Sequence, residues 1–426
     1  MTTFNRRDFL KASTAGAATA VLAGCAAAPS MSRPVGRVVV IGGGYGGATA
    51  AKYLRLWGRG SVEVFLIERG TQFVSCPGSN LVLGGSRTMA ELTKSYGKLR
   101  DYGVKLVTDE VLGVDAQNRR IKLSRTPDLA YDKLVVSPGI DFTYEDVQGY
   151  NADAQKSILH AWKAGPDTVA LRRQLETMRD GGVYVLSVPL APYRCPPGPY
   201  ERACQVAAYF KKAKRKSKVL VLDANPDVTS KGPLFKAAWN DLYKGMIEFR
   251  GNAAVKRVDA KARTVSTDFD TVRGDVLNVI PPQRAGNIAR TAGLITANNR
   301  WCGVDWLTME SVAAKNIHVL GDATLSGPGM PKSGHMANQH AKVAAAAIVE
   351  LLNGRAPNPA PVVTNTCYSY VSDKEAVHVA GVYGYDTKDK TFKAVPGSGG
   401  VSRARNELEG VYGWAWAENI WSDMLG

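Results

Sequence analysis

The chain has 426 residues, a length that predicts more than one domain because single hydrophobic cores stop growing at about 250–300 residues. Hydrophobic residues make up 45% and charged residues 22%, which excludes a disordered chain and is typical of a globular protein. Beyond residue 30, no apolar run reaches the roughly 20 residues that a membrane-spanning helix needs. The formal net charge of +16 favours an acidic partner or an anionic surface.

The start of the chain indicates an export signal. An arginine pair, Arg6 and Arg7, precedes a weakly apolar, alanine-rich stretch, and this pattern resembles a twin-arginine signal. We therefore predict a periplasmic protein with a signal segment at residues 1–28, rather than a frayed N-terminal helix. Export argues against a nucleic-acid partner for the basic run at residues 211–216, which we interpret as a solvated helix end.

The cleavage site of this signal has two interpretations. The LAGC segment that ends at Cys25 resembles a lipoprotein cleavage box, and Cys25 would then carry a lipid anchor. An ordinary cut near Ala26 or Ala27 is the alternative, and the sequence leaves both open.

A dinucleotide-binding βαβ unit follows the signal. An apolar run from residue 37 leads into IGGGYGG, a helical stretch and a second apolar run that ends at Glu68. The spacing of Gly42, Gly44 and Gly47 allows a tight turn, a close approach to a pyrophosphate and tight helix packing. Glu68 lies about 20 residues further on, where a carboxylate would bind a ribose hydroxyl.

A segment far downstream favours FAD over NAD as the nucleotide. The GDA triplet at residues 321–323 resembles the second FAD fingerprint of glutathione-reductase-like flavoproteins, in which the aspartate, here Asp322, binds the ribityl chain. A helix beginning after Lys332 would direct its positive end at the flavin, so we include Lys332 among the cofactor-binding residues. The LVVSPGI segment resembles the same family's linker, although Ser137 and Pro138 replace its usual Ala-Thr pair.

A second, altered βαβ unit begins at Gly182. Its turn, PLAPYRCPPGPYE, contains five prolines, which lack the N–H donors that bind a phosphate and also add bulk. We therefore predict that NADH and NADPH do not bind, which argues against a pyridine-nucleotide-dependent activity.

The cysteines suit an exported redox protein. Among the six there is no C-x-x-C-H haem motif and no zinc-like spacing, so we expect neither a c-type haem nor a metal. Setting Cys25 aside leaves five, an odd number, so one of them must do something other than pair.

Further segments share one family resemblance. They are FVSCPGSN, YRCPPGPYERA, HVLGDA, PKSGHMANQHA, TNTCYSYVS and ENIWSD. With the glycine motif they make nearly the whole mature chain similar to the flavoprotein subunit of flavocytochrome c sulfide dehydrogenase. The resemblance implies an α/β fold with two Rossmann-like domains of glutathione-reductase type and a small α+β C-terminal domain.

The resemblance also implies domain bounds. Residues 35–148 and 286–356 would form the FAD-binding domain, and residues 149–285 the second Rossmann-like domain without an NAD site. Residues 357–426 would form the flavocytochrome-type C-terminal domain, in which we expect mixed strand and turn.

Roles for five residues follow from the same resemblance. FAD would be bonded through its 8α-methyl group to the sulfur of Cys76. Cys195 and Cys367 would form a redox disulfide beside the flavin, with Glu201 as a candidate base and Trp421 nearby. A separate c-type cytochrome subunit would hold the haem.

The residues alone leave alternatives at this site. Cys195 precedes a predicted helix whose positive end would lower its thiol pKa, but a purely structural bridge to Cys367 is the alternative. We expect Cys204 and Cys302 to form a structural bridge, with unpaired burial as the alternative. Glu201 is equally well interpreted as an acid that complements the helix dipole.

We therefore predict a sulfide:cytochrome-c oxidoreductase with covalent FAD and a redox disulfide. One alternative is a sulfide:quinone oxidoreductase, although the tail at residues 409–426 is short for the amphipathic segment that such an enzyme needs. The other is a non-turnover redox or sulfur-carrier flavoprotein that assists thiosulfate oxidation.

Overall fold

The computed structural model describes residues 34–426. The predicted signal segment at residues 1–28 and Cys25 lie outside the described residues. Within residues 34–426, no helix combines the length and hydropathy that a bilayer crossing requires.

The helices of the described region are numbered in chain order. They are α1 (Tyr45–Trp57), α2 (Ser79–Gly84), α3 (Met89–Leu92), α4 (Ala152–Gln155), α5 (Pro166–Thr177), α6 (Gly198–Ala213), α7 (Gly232–Leu242), α8 (Asn287–Thr291), α9 (Gly334–Leu352) and α10 (Glu407–Leu425). Short 3₁₀ turns occur at Gly97–Arg100, Tyr144–Asp146 and Gly321–Ala323.

The strands are numbered in the same way. They are β1 (Gly36–Ile41), β2 (Val62–Glu68), β3 (Gln72–Val74), β4 (Thr93–Ser95), β5 (Lys105–Thr108), β6 (Val111–Asp115), β7 (Arg120–Leu123), β8 (Leu129–Ala130), β9 (Lys133–Val136), β10 (Ile140–Phe142), β11 (Val183–Val188), β12 (Lys218–Asp223), β13 (Ile247–Arg250), β14 (Arg257–Asp259), β15 (Thr264–Ser266), β16 (Thr271–Arg273), β17 (Val276–Val279), β18 (Gln283–Ala285), β19 (Val304–Asp305), β20 (Glu310–Ser311), β21 (Ile317–Val319), β22 (Val362–Tyr370), β23 (Ala376–Asp386), β24 (Thr391–Ala394) and β25 (Gly400–Val401).

The largest sheet contains the predicted dinucleotide unit. Its parallel strands run in the order β21-β9-β1-β2-β5, with the antiparallel pair β19-β20 added at one edge. Val38, Val39 and Val40 in β1 are fully buried, as expected for a strand with helices on both faces of its sheet. The order confirms the first Rossmann-like framework and places β9 beside β1.

A second parallel sheet confirms the second framework. Its order is β13-β12-β11-β17, and β11 begins at Val183, one residue after the predicted start. Helix α6 connects β11 to β12 and begins at Gly198, directly after the proline-rich turn. The turn that would bind a phosphate in a nucleotide site therefore ends where α6 begins.

The C-terminal region is an antiparallel sheet followed by a long helix. Strands β22, β23 and β24 pair in sequence, β25 pairs with β23, and α10 occupies residues where we expected mixed strand and turn. That expectation was wrong because glycine in α10 serves packing and does not mark a turn. A Cβ on Gly410 would lie 1.8 Å from the carbonyl oxygen of Lys374, and one on Gly413 would lie 3.1 Å from the Cβ of Tyr368.

Replacing Gly410 by Ala should lower the free energy of unfolding by about 1–3 kcal/mol because the new methyl group would overlap a backbone oxygen. Helix propensity alone would predict stabilisation instead, since Ala is more favourable than Gly in a helix by roughly 1 kcal/mol. Urea unfolding of the holoprotein, followed by circular dichroism, measures the difference. Val411→Ala, on an exposed position of the same helix, is the control and should stay within about 0.5 kcal/mol of the parent. A stabilised Gly410→Ala variant would contradict the packing argument.

Candidate active site

A cavity of about 620 Å³ lies where the glycine-rich turn, α6, α9, β22 and α10 meet. This volume is within the range of cofactor sites in proteins. Eight of the predicted site residues line it: Gly42, Gly44, Glu68, Cys76, Cys195, Glu201, Asp322 and Cys367. We call it the central cavity.

The glycine-rich turn has the conformation that the motif requires. Gly42 has φ +92°, and a Cβ there would lie 2.4 Å from the carbonyl oxygen of Ser137. A Cβ on Gly47 would lie 1.7 Å from the carbonyl oxygen of Gly42, so Gly47 allows α1 to start against the turn. Around Gly44 no atom lies within 4 Å of such a Cβ, which leaves the backbone open to the cavity. This cradle fits a pyrophosphate.

Glu68 lies at the end of β2 and holds the same turn. Its carboxylate accepts hydrogen bonds from the backbone N–H groups of Gly43 at 2.7 Å and Gly70 at 3.0 Å. Each carboxylate oxygen can accept a further bond, so Glu68 can still bind a ribose hydroxyl at the cavity wall.

Asp322 gives an independent test of the fit to FAD. The residue is half-buried, but its Oδ1 atom is shielded from solvent and has no hydrogen-bond partner among the described residues. Burial raises the pKa of this carboxyl, and the nearby charges of Arg194 and Lys332 oppose the rise. A buried unpaired oxygen at a cavity wall needs a donor, and a ribityl hydroxyl is such a donor. The residues present therefore fit FAD.

Three of the predicted cofactor-binding residues, Gly47, Lys332 and Trp421, do not line the cavity. The Lys332 ammonium donates to the carbonyl oxygens of Asp322 at 3.0 Å and Thr324 at 2.5 Å, and lies 3.8 Å from the ring centre of Trp301. Burial lowers its pKa to about 8. Lys332 thus holds the segment that carries Asp322, and its assignment as a cofactor-binding residue stays a prediction.

The aromatic residues of α10 at the cavity are Trp414 and Trp416. Trp421 is buried behind them, where its Nε1–H donates to the Tyr45 hydroxyl at 3.1 Å and its ring packs edge-on against Trp414. Trp421 lies about 1.4 helical turns from Trp416 and about two turns from Trp414. That Trp421 lies near the flavin stays a prediction.

Cys76 lies in the turn before α2 and is half-buried at the cavity wall. Its sulfur accepts a hydrogen bond from the backbone N–H of Ala164 at 3.5 Å. Within residues 34–426 all five cysteines are free thiols, so Cys76 is available for a bond to a ligand.

Cys195 and Cys367 line the same cavity as free thiols. Cys195 lies in the turn before α6 with φ +59°, an uncommon conformation for a residue with a Cβ. Its N–H donates to the carbonyl oxygen of Lys332 at 2.8 Å. A Cβ on Gly198 would lie 2.9 Å from the Cys195 sulfur, so glycine at the start of α6 makes room for this thiol.

The predicted effect of the helix end on Cys195 was wrong. Burial raises the pKa of the Cys195 thiol well above its ordinary value, and the neighbouring Cys367 and Glu201 raise it further. Arg194 and Lys231 only partly oppose the rise. Desolvation outweighs the helix dipole because the thiol lies inside the cavity and not at an exposed helix end.

Glu201 is buried in the first turn of α6 and lines the cavity. Its Oε1 accepts from the backbone N–H of Tyr370 at 2.8 Å, and its Oε2 accepts from the Asn80 amide at 2.7 Å. Burial raises the pKa of Glu201, and these hydrogen bonds oppose the rise. A buried carboxyl with a raised pKa at a cavity wall is a candidate for proton transfer.

Cys204 and Cys302 are not bridged and have different neighbours. The Cys204 sulfur accepts from Nε1–H of Trp239 at 3.3 Å inside the second domain. Cys302 pairs with Thr324 in a short β-bridge, and burial raises its pKa to about 12. The alternative of unpaired burial therefore describes both thiols in this structure.

The sequence missed one lysine beside the cysteines. Lys231 is buried, and its ammonium donates to the carbonyl oxygen of Cys367 at 3.0 Å and to Oγ of Ser369 at 2.8 Å. It belongs to no motif and lies 136 positions from Cys367 in the chain. Only the packing of the second domain against β22 brings the two together, so no sequence pattern could have found it.

In the second domain, the acid at the position of a ribose-binding residue is hydrogen-bonded to neighbouring side chains. Asp223 ends β12, where a Rossmann-like domain carries its ribose-binding acid, and it is fully buried. Its carboxylate accepts from the Tyr200 hydroxyl at 2.7 Å and from the Asn225 amide at 2.7 Å. These bonds occupy the carboxylate at the position where a ribose would bind, so the absence of NADH and NADPH binding stays a prediction with a structural reason.

Family comparisons agree with this arrangement. Residues 168–281 match the family described as "Sulfide dehydrogenase [flavocytochrome c] flavoprotein chain, central", and residues 359–425 match "Flavocytochrome c sulphide dehydrogenase, flavin-binding". Residues 36–173 match the pyridine nucleotide-disulphide oxidoreductases, and residues 3–23 match the twin-arginine translocation signal.

Two similar sequences are named as sulfide oxidoreductases or their subunits. The flavoprotein chain of the sulfide dehydrogenase [flavocytochrome c] from Chlorobaculum thiosulfatiphilum is 59% identical over 46 residues, which are 11% of this chain and 94% of that sequence. The mitochondrial sulfide:quinone oxidoreductase of Dictyostelium discoideum is 23% identical over 299 residues, which are 68% of this chain and 66% of the relative.

Solved structures share the fold. The sulfide:quinone oxidoreductase of Aquifex aeolicus has a TM-score of 0.72 with 19% identity over 91% of both chains. The NAD-dependent persulfide reductase of A. fulgidus has a TM-score of 0.62 with 18% identity, over 81% of this chain and 63% of the other.

Fold and cavity together define a flavoprotein oxidoreductase of the pyridine nucleotide-disulphide oxidoreductase type. Within that class, the chain belongs to the family of flavoprotein chains of flavocytochrome c sulfide dehydrogenase. The twin-arginine signal predicted at the start of the chain is confirmed by the match at residues 3–23.

NADH and NADPH should neither bind nor reduce the purified protein, because Asp223 is already hydrogen-bonded and the proline turn lacks N–H donors for a pyrophosphate. The flavin absorbance is recorded under argon while either nucleotide is added, and it should not change. Dithionite is the positive control and should bleach the flavin. Bleaching by micromolar NADH would show that a nucleotide site exists.

Proposed function

We propose that this chain is an exported, FAD-dependent enzyme that oxidises sulfide through a Cys195–Cys367 disulfide and passes the electrons to a c-type cytochrome subunit. The observation that carries the proposal is that Cys195 and Cys367 line one cavity with Cys76 and the buried acid Glu201. Bound FAD would supply an acceptor that takes an electron pair and releases single electrons.

The protein groups suit the first chemical step. Glu201 would accept a proton from hydrogen sulfide, since burial raises its pKa and so makes its carboxylate a stronger base than an exposed one. The resulting hydrosulfide would attack one sulfur of the disulfide to form a persulfide, and the other cysteine would leave as a thiolate. A cavity that holds both sulfurs makes the attack a positioned transfer rather than a random encounter.

Covalent attachment of the flavin at Cys76 is part of the proposal. Three of the five cysteines within residues 34–426 line the cavity, and Cys76 is the one that does not belong to the proposed redox pair. It precedes α2, which packs against α6, so the attachment would lie close to the proposed redox cysteines. A covalent bond would retain the cofactor outside the cytoplasm, where free FAD is scarce.

Export and partner are proposed on separate grounds. The twin-arginine match supports a periplasmic location, because that pathway carries folded proteins and would allow FAD to be acquired first. The family name supports a cytochrome partner, and the net charge of +16 would speed encounter with an acidic one. A lipid anchor at Cys25 stays a prediction.

A quinone is the alternative acceptor. The similarity to the sulfide:quinone oxidoreductases of Dictyostelium and Aquifex favours it as a second candidate, since the same disulfide chemistry can deliver electrons to either acceptor. The cytochrome is preferred because residues 359–425 match the flavocytochrome-specific flavin-binding family.

The flavin should stay with the protein after acid precipitation, because a thioether bond to Cys76 survives unfolding. The yellow colour should be found in the pellet, and peptide mass spectrometry should assign the flavin to the peptide that contains Cys76. Cys76→Ser is the matched variant and should release its flavin to the supernatant. Free flavin from the parent protein would defeat the attachment.

Replacing Cys195 or Cys367 by Ser should abolish sulfide-dependent reduction of cytochrome c, with a loss of at least about 100-fold, because sulfide then has no disulfide to attack. The rate is measured with sulfide and cytochrome c, in parallel with a soluble quinone analogue. Cys204→Ser is the control: its sulfur contacts Trp239 in the second domain, so turnover should persist even if the melting temperature falls.

Three outcomes separate the candidate functions. Near-parent turnover in Cys195→Ser would reject the redox disulfide. Rapid reduction of the quinone analogue but not of cytochrome c would favour the quinone enzyme. Flavin reduction by sulfide with negligible turnover on either acceptor would favour a redox or sulfur-carrier protein.

A further inference from the structure

Lys231 is a buried cation behind the proposed redox pair. It precedes α7 with φ +58°, and the residue is only 7% exposed. Lysine is almost never buried to this extent unless its ammonium has a structural or chemical partner. Its location therefore requires an explanation that a surface lysine would not.

The partners of the Lys231 ammonium belong to β22. It donates to the carbonyl oxygen of Cys367 at 3.0 Å and to Oγ of Ser369 at 2.8 Å. Both acceptors are neutral, so neither of these bonds cancels the positive charge. An ammonium has three donors, and these two bonds leave one for a further acceptor in the cavity wall.

The groups that shift the thiol pKa differ between Cys367 and Cys195. Burial raises the pKa of Cys367, and Lys231 is the first of the groups that oppose the rise, followed by a hydrogen bond from Ser369. For Cys195, burial raises the pKa and the largest further effects, from Cys367 and Glu201, raise it more. A negative charge is thus better supported on Cys367 than on Cys195.

We propose that Lys231 is a positioning residue that makes Cys367, and not Cys195, the sulfur released as a thiolate when sulfide opens the bridge. The inference rests on the proposed function. Thiol–disulfide exchange favours attack that expels the better-stabilised thiolate, so hydrosulfide should attack Cys195.

Atoms and electrons balance in this step. A bond forms between the hydrosulfide sulfur and Sγ of Cys195, and the bond between the two Sγ atoms breaks. The electron pair of the broken bond leaves on Cys367. The sulfide sulfur is oxidised to the persulfide level, the disulfide accepts two electrons, and the proton of the hydrosulfide stays on the terminal persulfide sulfur.

Several titratable groups act on this charge. Cys367 is faced by Lys231 from the segment before α7, by Glu201 from α6 and by Cys195 from the turn before α6. Lys231 is in turn affected by Glu409 of α10 as well as by these groups. Glu201 opposes a thiolate on either cysteine, whereas Arg194 favours one on Cys195 and Lys231 favours one on both. Lys231 favours Cys367 in particular because it is hydrogen-bonded to the Cys367 segment.

The test measures the thiols of the reduced holoprotein without sulfide. Iodoacetamide is added across a series of pH values, and peptide mass spectrometry gives the alkylation rate of each cysteine. Both thiols are half-buried at the cavity wall and within reach of a small reagent. The variants are Lys231→Met, Lys231→Gln as a second neutral variant in case the first does not fold, and Lys231→Arg, which keeps the charge.

In the neutral variants, the alkylation of Cys367 near neutral pH should slow by about tenfold, because loss of an adjacent cation raises a thiol pKa by about one unit. The rate for Cys195 should change much less, and Lys231→Arg should restore most of the Cys367 rate. The control is Lys236→Met, which removes an exposed lysine of α7 that pairs with Asp227 and should change neither rate.

An unchanged alkylation profile of Cys367 in a folded neutral variant would overturn the proposal, and so would equal slowing of both cysteines. The readout uses no sulfide and no acceptor, so it stands if the protein proves inactive on sulfide. Conversely, the expected thiol shift combined with no sulfide oxidation would reject the proposed function while keeping the role of Lys231 on Cys367.

Discussion

The buried carboxylate of Glu201 is the interaction that joins the parts of this protein at its reactive cavity. It lies in α6 of the second framework, and its oxygens accept from Asn80 in α2 and from the backbone N–H of Tyr370 in β22. The first framework, the second framework and the C-terminal sheet therefore meet at one buried carboxyl group. Leaving a buried polar group without its hydrogen-bond partner costs about 1–3 kcal/mol, so the relative placement of these segments depends on these bonds.

A second polar cluster beside Glu201 stabilises the same junction. Arg202 is fully buried and donates to Asn80 at 2.9 Å, to Asn278 at 2.9 Å and to the carbonyl oxygens of His160 and Ala161. All of these acceptors are neutral, so the positive charge of Arg202 remains near the cavity.

The sequence predicted the parts of the site that depend on local backbone geometry. Gly42 and Gly47 are recognisable because a side chain there would overlap backbone atoms, so the sequence must have glycine at these positions. Contacts between distant segments leave no comparable pattern in the sequence. Lys231 meets Cys367 only through packing of the second domain against β22, and Trp414 faces the cavity only because glycines let α10 approach that sheet.

The error about Cys195 shows how magnitudes decide between two effects. A helix N-terminus stabilises an adjacent negative charge by roughly 0.3–1 kcal/mol. Removing a charged group from water costs several kcal/mol even after the protein relaxes around it. The sequence reveals the helix but not the depth of burial. The smaller effect, that of the helix dipole, could therefore be predicted, and the larger effect, that of desolvation, could not. A thiolate in this cavity therefore needs a specific cation, and Lys231 is the one bonded to the Cys367 segment.

One feature of the sequence, the proline-rich turn before α6, bears on both the predicted lack of NADH binding and the proposed reactive site. In a nucleotide-binding domain, the turn before the helix offers N–H groups to a phosphate. Here that turn contains Cys195 followed by Pro196 and Pro197, so it has lost donors and gained a thiol at the cavity. The first turn of α6 supplies Tyr200, which bonds Asp223, and Glu201, which lines the cavity. The turn that lacks donors for a phosphate thus also presents a sulfur and an acid to the cavity, so a change of this turn toward nucleotide binding would also alter the proposed redox site.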